Sequence, residues 1–171
     1  MRWTPSRSVP GDVLAALHTE PGERALASAR DADGGWLVGT DRALHRTDGD
    51  GWAVHPWESL EGASWNREDG ELVVVEIAEF GEVEPRHVHR IEAPGRLLEL
   101  VRERVTASIV ARRAVPVRRG FDLQVVVRRS PTRTGDTTYS FVLDPGLEPD
   151  DDDVRAAVRR GVAEVRQDLG L

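Results

Sequence analysis

Short apolar runs separated by turn signals fill the chain between residues 23 and 91, and this pattern predicts a series of short antiparallel strands. Most of the turns are rich in Asp and Gly, and they lie at 31–35, 40–41, 48–51 and 68–70. The strands expected between them cover residues 23–30, 36–39, 42–46, 52–55, 58–65, 72–77 and 87–91. The run 72–77 is apolar at almost every position, which favours a strand covered on both faces, as in a closed barrel.

The spacing of apolar residues becomes helical after Pro94 and Gly95. One apolar stripe is formed by Leu97, Leu98, Val101, Val105 and Ile109. Burying each of these side chains is worth roughly 1.5–3 kcal/mol before entropy is subtracted, which is enough to dock the helix on the strands. We therefore expect the substitution Leu98→Asp to unfold the protein.

Two further helices are predicted, one near each end of the chain. Residues 10–18 begin with Pro10 and carry apolar residues at helical spacing. The last helix begins at residues 150–153, four consecutive Asp that suit the positive end of a helix dipole. Its apolar stripe comprises Val154, Val158, Val162, Val165 and Leu169.

Three strands are expected between the two long helices, at 108–117, 121–128 and 138–143. The order of elements predicts an α+β fold, and a length of 171 residues suits one domain or a small domain with a close extension. We divide the chain into an N-terminal segment with a short helix (1–22), a central part (23–108) and a C-terminal βββα extension (109–171). The extension either packs as part of one domain or forms a second small layer.

The central part resembles a known family. The segment GWLVGTDRALHR at 35–46 is similar to the first hairpin of bacterial pleckstrin-homology-like (PH-like) and GRAM-like domains. The segments WAVHPWESLEGASWNREDGELVVV at 52–75 and PGRLLELVRERV at 94–105 resemble the strands and the closing helix that follow in those domains. The resemblance covers roughly residues 23–108. It implies a PH-like bent antiparallel β-barrel closed by one amphipathic helix.

Phosphoinositide binding, the familiar activity of PH domains, does not follow from this resemblance. That activity needs a basic loop between the first two strands, whereas the loop here contains Asp31 and Asp33 and would repel a phosphate. The resemblance therefore indicates a fold and leaves the ligand open.

Composition excludes several classes of function. The chain has no Cys, which excludes disulfides, thiolate metal sites and Cys nucleophiles, and all 23 basic residues are Arg, which excludes a P-loop or Schiff-base lysine. The motifs of hydrolases, zinc proteases, dinucleotide-binding proteins and P-loop enzymes are missing, so we expect neither an enzyme nor a cofactor. No apolar run reaches transmembrane length and no signal peptide is seen, which favours a cytoplasmic location without membrane insertion.

Charge is unevenly distributed along the chain. The net charge is −7, yet the segment 96–135 contains ten Arg against three acidic residues. The candidate binding residues lie on its predicted strands and turns: Arg112, Arg113, Arg118, Arg119, Arg128, Arg129 and Arg133. Guanidinium groups bind carboxylate or phosphate in a bidentate manner. The alternatives are a solvated face paired with the protein's own acids, an acidic partner protein, or nucleic acid, which the lack of interleaved aromatic residues disfavours.

Two histidines are the strongest candidates for a metal site. His87 and His89 alternate on one predicted strand and so share a face. No third ligand has a supporting spacing, since His45 and His55 could approach only through folding. We therefore predict no metal site, and whether His87 and His89 bind metal stays open. Residues 150–153 lack the pattern of a calcium loop and are better explained as a helix start.

Four tryptophans lie close together in the sequence, at Trp36, Trp52, Trp57 and Trp65. They could line a ligand site, but large aromatics on neighbouring strands are more often core residues. Trp57 follows Pro56 directly and is expected to be the most exposed of the four.

The sequence thus predicts a cytoplasmic, non-catalytic binding or scaffold module of unknown ligand, for which an acidic protein is one candidate partner. The alternative is anion or nucleic-acid binding through the Arg-rich face 112–133. The identity of the ligand and the oligomeric state are not determined by the sequence.

Overall fold

The structure is a computed structural model that describes residues 9–132 and 137–171. Its helices and strands are, in chain order, α1 (Gly11–Ala16), β1 (Ala25–Arg30), β2 (Trp36–Thr40), β3 (Ala43–Asp48), β4 (Gly51–Pro56), β5 (Leu60–Asn66), β6 (Glu71–Glu76), β7 (Arg86–Arg90), α2 (Leu97–Ser108), β8 (Ile109–Arg118), β9 (Phe121–Arg128), β10 (Thr138–Leu143) and α3 (Asp152–Leu169). A 3₁₀ turn, Trp57–Ser59, separates β4 from β5. The predicted α+β class is confirmed.

The strands form three antiparallel sheets. Sheet A has the order β1-β2-β3-β4, sheet B has the order β5-β6-β7, and sheet C has the order β10-β9-β8. The main-chain N–H of Ala32 donates to the carbonyl oxygen of Arg90 at 2.8 Å, which links the end of β7 to the β1–β2 turn. Among the described residues no sheet closes on itself, so a closed barrel is not observed.

Helix α2 supplies the central part of the main hydrophobic core. Leu97 and Val101 are buried and share one cluster with residues of sheets A and B, among them Leu37, Leu60 and Leu72. Gly39 of β2 lies against this helix, because a Cβ at that position would approach Leu100 Cδ2 to 2.6 Å. The helix predicted from the sequence therefore holds both sheets together.

Helix α3 covers one face of sheet C and forms a second core. Val154, Ala157 and Val165 of the helix are buried against Val125 and other residues of β8–β10. Phe80, from the β6–β7 loop, packs edge-on against Phe141 of β10 with ring centroids 5.2 Å apart. The βββα segment thus contacts the preceding part of the chain through aromatic side chains.

The N-terminal helix α1 adds a third, smaller cluster. Val9, Val13 and Leu17 pack with Val38 of β2, and Trp36 and Trp52 are partly buried against the same cluster. The helix predicted over residues 10–18 is confirmed, although it spans only Gly11–Ala16.

Trp57 differs from its prediction. The residue is fully buried, and its indole Nε1 donates to the carbonyl oxygen of Thr40 at 3.1 Å. Pro56 ends β4 and leads into the 3₁₀ turn, which directs Trp57 inward. The expectation that Trp57 is the most exposed of the four tryptophans is wrong, because the turn that follows Pro56 has 3₁₀ geometry.

On α2 and β6 the buried positions differ from those that the sequence predicts. On α2 the buried face uses Leu100 and Ser108 beside the predicted residues, Leu98 is only partly buried, and Ile109 begins β8. On β6 the residues Leu72 and Val74 are buried, but the intervening valines are half-buried. One face of β6 therefore meets the core, and the prediction of cover on both faces is wrong.

No helix of residues 9–132 or 137–171 is long and apolar enough to cross a bilayer.

Candidate functional site

The arginines predicted as a binding face are distributed over different surroundings. Arg113 donates to Glu164 at 2.9 Å and also pairs with Asp168, both on α3. Arg118 lies 3.3 Å from carboxylates at the start of α3 and donates to the carbonyl oxygen of Gly146. These two guanidinium groups are paired with the protein's own acids.

The remaining candidate arginines do not form one surface either. Arg128 is 2 % exposed and donates to main-chain oxygens, while Arg112 and Arg119 are exposed and Arg129 is half-buried. Arg133 lies outside the described residues. Arg112 and the buried Arg128 line a cavity together with Arg102 of α2, which the sequence prediction did not select.

A groove runs between β5 and α2 and continues to the face of sheet C opposite α3; we call it the β5 groove. Its two parts have volumes of about 490 and about 240 Å³, and Ala63 and Arg102 line both. The first part is lined by Trp65 and Leu98, and the second by Val105, Val126 and Val142, among others. The groove is therefore apolar on its floor and open to solvent along its length.

The strand that forms one wall of the β5 groove is an edge strand. Within the described part of the chain β5 pairs only with β6, and sheet B ends there. The groove-lining residues Gly62, Ala63 and Ser64 have small or no side chains, and a Cβ at position 62 would meet no atom within 4 Å. The main-chain oxygen of Glu61 already accepts from Arg128, and past it the small residues of this edge leave main-chain hydrogen-bonding groups accessible to another chain.

The rim of the β5 groove is positively charged. Arg102 of α2 and Arg112 of β8 are exposed, and neither has an acidic partner among the described residues. Within residues 9–132 and 137–171, the polar contact of Arg112 is a long one of 3.4 Å with Gln124 Oε1. Two acidic residues also line the groove: Glu99 in the first part, and Glu61 in the second, where its carboxylate lies 3.8 Å from Arg128. Two guanidinium groups are thus free to bind an acidic ligand.

A second cluster of functional side chains lies between sheets A and B; we call it the histidine corner. His55 near the end of β4, Glu76 at the end of β6 and His87 near the start of β7 bring their ligand atoms within 4.8 Å of one another. His55 Nδ1 is 3.0 Å from Glu76 Oε1, and His87 Nε2 contacts the same oxygen. Two imidazoles therefore converge on one carboxylate.

Arg46 sets the proton positions in the histidine corner. Its Nε donates to His55 Nε2 at 3.3 Å, and a guanidinium can only donate. His55 Nε2 must hold a lone pair, so the proton of the neutral ring sits on Nδ1 and points at Glu76. Burial lowers the pKa of His55 although Glu76 opposes the shift, which favours the neutral ring near pH 7.

His89 contacts a different carboxylate from the one that His87 contacts. Its Nδ1 lies 3.0 Å from Asp31 Oδ2 in the β1–β2 turn. Burial lowers the pKa of His89, and Asp31 acts in the opposite direction. The two histidines share a face of β7 as the alternation predicted, but they do not converge on one point.

A third polar cluster, beneath the β2–β3 turn, has a structural role. His45 is buried and contacts Glu23 at 2.9 Å, and the hydroxyl of Thr40 contacts the same carboxylate oxygen at 2.6 Å. Thr40 also accepts from the main-chain N–H groups of Arg42 and Ala43. Because these side chains are largely buried and bond to one another and to the main chain of the turn, they hold the hairpin in place.

Sequence reasoning missed His55 and Glu76 as partners of His87, and Arg102 as a groove residue. His55 and Glu76 lie 32 and 11 positions from His87, and no local spacing signals such a group. Only the pairing of β6 with β7 and the approach of β4 bring the three together. Arg102 was visible on the polar face of the predicted helix, but the cavity beside it depends on β5.

No family model matches this chain, and no curated protein or solved structure is significantly similar to it. The β5 groove and the histidine corner are therefore interpreted from their own geometry and chemistry.

Proposed function

We propose that this protein is a non-catalytic binding module on a PH-like scaffold, and that its ligand is an extended acidic segment of a partner protein. The segment adds to sheet B as a new strand along β5. The observation that carries the proposal is the edge of β5 at the small residues Gly62, Ala63 and Ser64. It lies in a groove rimmed by Arg102 and Arg112, for which the described residues supply no acidic partner.

The order of the elements supports the PH-like part of the proposal. Seven strands in a four-stranded and a three-stranded sheet precede α2, and α2 packs on both sheets. This is the order that the sequence resemblance implies, with βββα following it. An open arrangement of two sheets and a helix also explains why a groove remains between β5 and α2.

The length of the groove suits a short extended peptide. The residues 61–65 of β5 extend over about 13 Å at 3.3 Å per residue. The facing part of α2, residues 98–106, extends over about 12 Å at 1.5 Å per residue. A peptide of four or five residues can therefore pair with β5, because strand addition needs only main-chain groups for affinity.

Charge defines which segments are expected to bind. A peptide in the groove passes Arg102 in the middle and Arg112 at one end. Acidic side chains of the peptide at these points can pair with the two guanidinium groups. Apolar side chains on the other face of the peptide contact Trp65 and Leu98, or Val126 and Val142. The expected motif alternates acidic and apolar residues.

Anion or nucleic-acid binding by the whole segment 112–133 has less support. Arg113 and Arg118 are paired with acids of α3, and Arg128 is buried. A nucleic-acid surface needs its cations side by side, with aromatic groups between them.

A selection experiment tests the proposed function. A library of random linear peptides is panned against the wild-type chain, with counter-selection against the variant Gly62→Trp, whose indole fills the groove without meeting another atom near its Cβ. We expect enriched peptides to alternate acidic and apolar residues. One such peptide, labelled with a fluorophore, is then titrated against purified variants.

The variants separate groove binding from general attraction. Arg102→Glu should weaken peptide binding at least about fivefold, because repulsion between the new carboxylate and the acidic peptide replaces an attraction of comparable size. Arg96→Glu, which changes the same charge at the exposed start of α2 outside the groove, is the matched control and should bind as the wild type does. Equal binding by wild type and Gly62→Trp, or equal losses in the two Arg variants, would overturn the proposal.

A further inference from the structure

We propose that the histidine corner is a binding site for a zinc-type divalent transition cation, with His55 Nδ1, Glu76 Oε1 and His87 Nε2 as protein ligands. The site shares no residue with the β5 groove and does not depend on peptide binding. Imidazole nitrogen and carboxylate oxygen are the donors that such cations prefer in a chain without Cys.

The distances fit a tetrahedral cation with small side-chain rotations. Ligand atoms about 2.0–2.2 Å from zinc lie about 3.3 Å from one another. The separation of 3.0 Å between His55 Nδ1 and Glu76 Oε1 is close to this value, and all three ligand atoms lie within 4.8 Å. Three ligands from three strands leave a fourth position for water or an exogenous ligand.

The burial of the ligands suits a site that a cation can reach. The side chain of His55 is 8 % exposed, whereas those of Glu76 and His87 are 27 % and 24 % exposed. The cation therefore enters from the side of Glu76 and His87 and meets His55 at the back. All three ligands stand on hydrogen-bonded strands, which holds the main chain of the site in place.

Arg46 opposes the cation and tunes its affinity. When His55 ligates through Nδ1, its proton moves to Nε2 by exchange with solvent, and Nε2 becomes a donor. Arg46 Nε, now 3.3 Å from that atom, can no longer donate to it and must turn away, with Asp48 as its remaining partner at 3.6 Å. We therefore expect removal of the Arg46 guanidinium to tighten cation binding.

His89 supplies an internal control. It lies on the same face of β7 two residues from His87, but its Nδ1 is engaged with Asp31. The sequence alone suggests His87 and His89 as the metal pair, whereas the structure joins His87 to His55 and Glu76 instead. A comparison of the two histidines distinguishes these ligand sets.

The test uses the untagged full chain, freed of metal by a chelator and titrated with zinc chloride by calorimetry, with cobalt(II) absorption as a second readout. Wild type should bind one cation per chain, and its thermal stability should rise with the logarithm of the free zinc concentration once that concentration exceeds Kd. His87→Gln and Glu76→Gln should each weaken binding at least about tenfold. His89→Gln should bind as wild type does, and Arg46→Gln should bind more tightly.

Two results would overturn the proposal. One is the lack of saturable one-to-one zinc uptake by a wild-type chain whose circular dichroism shows that it is folded. The other is a loss in His89→Gln equal to that in His87→Gln with no loss in Glu76→Gln, which would assign the cation to a surface histidine pair. Because His87 is partly exposed, its Gln variant should fold even where substitution of buried His55 disturbs the protein.

Discussion

Arg128 Nη2 donates to the main-chain oxygen of Glu61 at 2.8 Å, so a side chain at the end of β9 is bonded to the edge strand of another sheet. The same guanidinium donates to the carbonyl oxygen of Val105 and to the hydroxyl of Ser108, both at 3.1 Å, at the end of α2. Arg128 thus joins sheet C, α2 and β5 at one point below the β5 groove. This explains why an arginine predicted for a binding face is only 2 % exposed.

The first prediction is that Arg128→Met destabilises the protein by about 2–5 kcal/mol. Methionine has a similar length but no donor, and each buried acceptor left without a partner costs about 1–3 kcal/mol. Urea denaturation followed by circular dichroism measures the loss. Arg119→Met, at an exposed turn, is the control and should change the free energy of unfolding by less than about 0.5 kcal/mol. Equal effects of the two substitutions would show that Arg128 has no such linking role.

The second prediction concerns the contact of α3 with sheet C at Gly161. A Cβ at this position would lie 2.7 Å from Val115 Cγ2 and 2.8 Å from Val125 Cγ2, and both methyl groups belong to stiff β-branched side chains. Gly161→Ala should therefore destabilise by about 1–3 kcal/mol, although alanine favours helices by up to about 1 kcal/mol. Thermal denaturation checks this.

A second substitution shows whether that cost is steric. Val115→Ala removes one of the two methyl contacts, so Gly161→Ala should cost less in its presence than in the wild type. Gly11→Ala, at an exposed position of α1 where a Cβ meets nothing within 4 Å, should be neutral or stabilising. A neutral Gly161→Ala would show that α3 can move away from the sheet without loss.

Local patterns predicted the elements well because each depends on neighbours in sequence. The Asp-Gly turn before Glu71 and the apolar spacing of 97–105 need no information about the rest of the chain. The histidine corner could not be predicted in this way, since His55 and His87 meet only after sheets A and B are placed. The same holds for Arg128, whose acceptors are main-chain oxygens of α2 and β5 and leave no mark in the sequence.

The third prediction revises the role of Leu98. The sequence indicated that Leu98→Asp unfolds the protein. The buried residues of α2 include Leu97 and Val101, whereas Leu98 lines the β5 groove and is only partly buried. Leu97→Ala should destabilise by about 2–5 kcal/mol through loss of buried surface and an internal cavity. Leu98→Ala should lower the free energy of unfolding clearly less than Leu97→Ala does, and it should weaken the binding of the selected peptide. Urea titrations of both variants test the order, and a larger loss in Leu98→Ala would contradict it.

The last prediction is that the protein loses stability in acid because two carboxylates near the β2–β3 turn become protonated. Burial raises the pKa of Glu23, but hydrogen bonds from Thr40 and His45 outweigh burial and hold the pKa below its ordinary value of 4.5. For Asp41, burial is likewise outweighed by the main-chain and side-chain donors of Arg24, so its pKa lies below 3.8. Both carboxylates are more stable as anions in the folded state than in the unfolded one.

The sign of the effect follows from these lowered pKa values. The stabilisation is complete above the unfolded pKa values of 4.5 and 3.8 and is lost as the pH falls through the lower values of the folded state. The free energy of unfolding should therefore decrease below about pH 5. In Asp41→Asn this decrease should be smaller, because the substituted group no longer titrates, while the variant is less stable than wild type at pH 7. Urea titrations between pH 7 and pH 3 measure both quantities, with Asp50→Asn at the exposed β3–β4 turn as control. A constant difference between Asp41→Asn and wild type over this range would show that Asp41 does not contribute to the acid dependence.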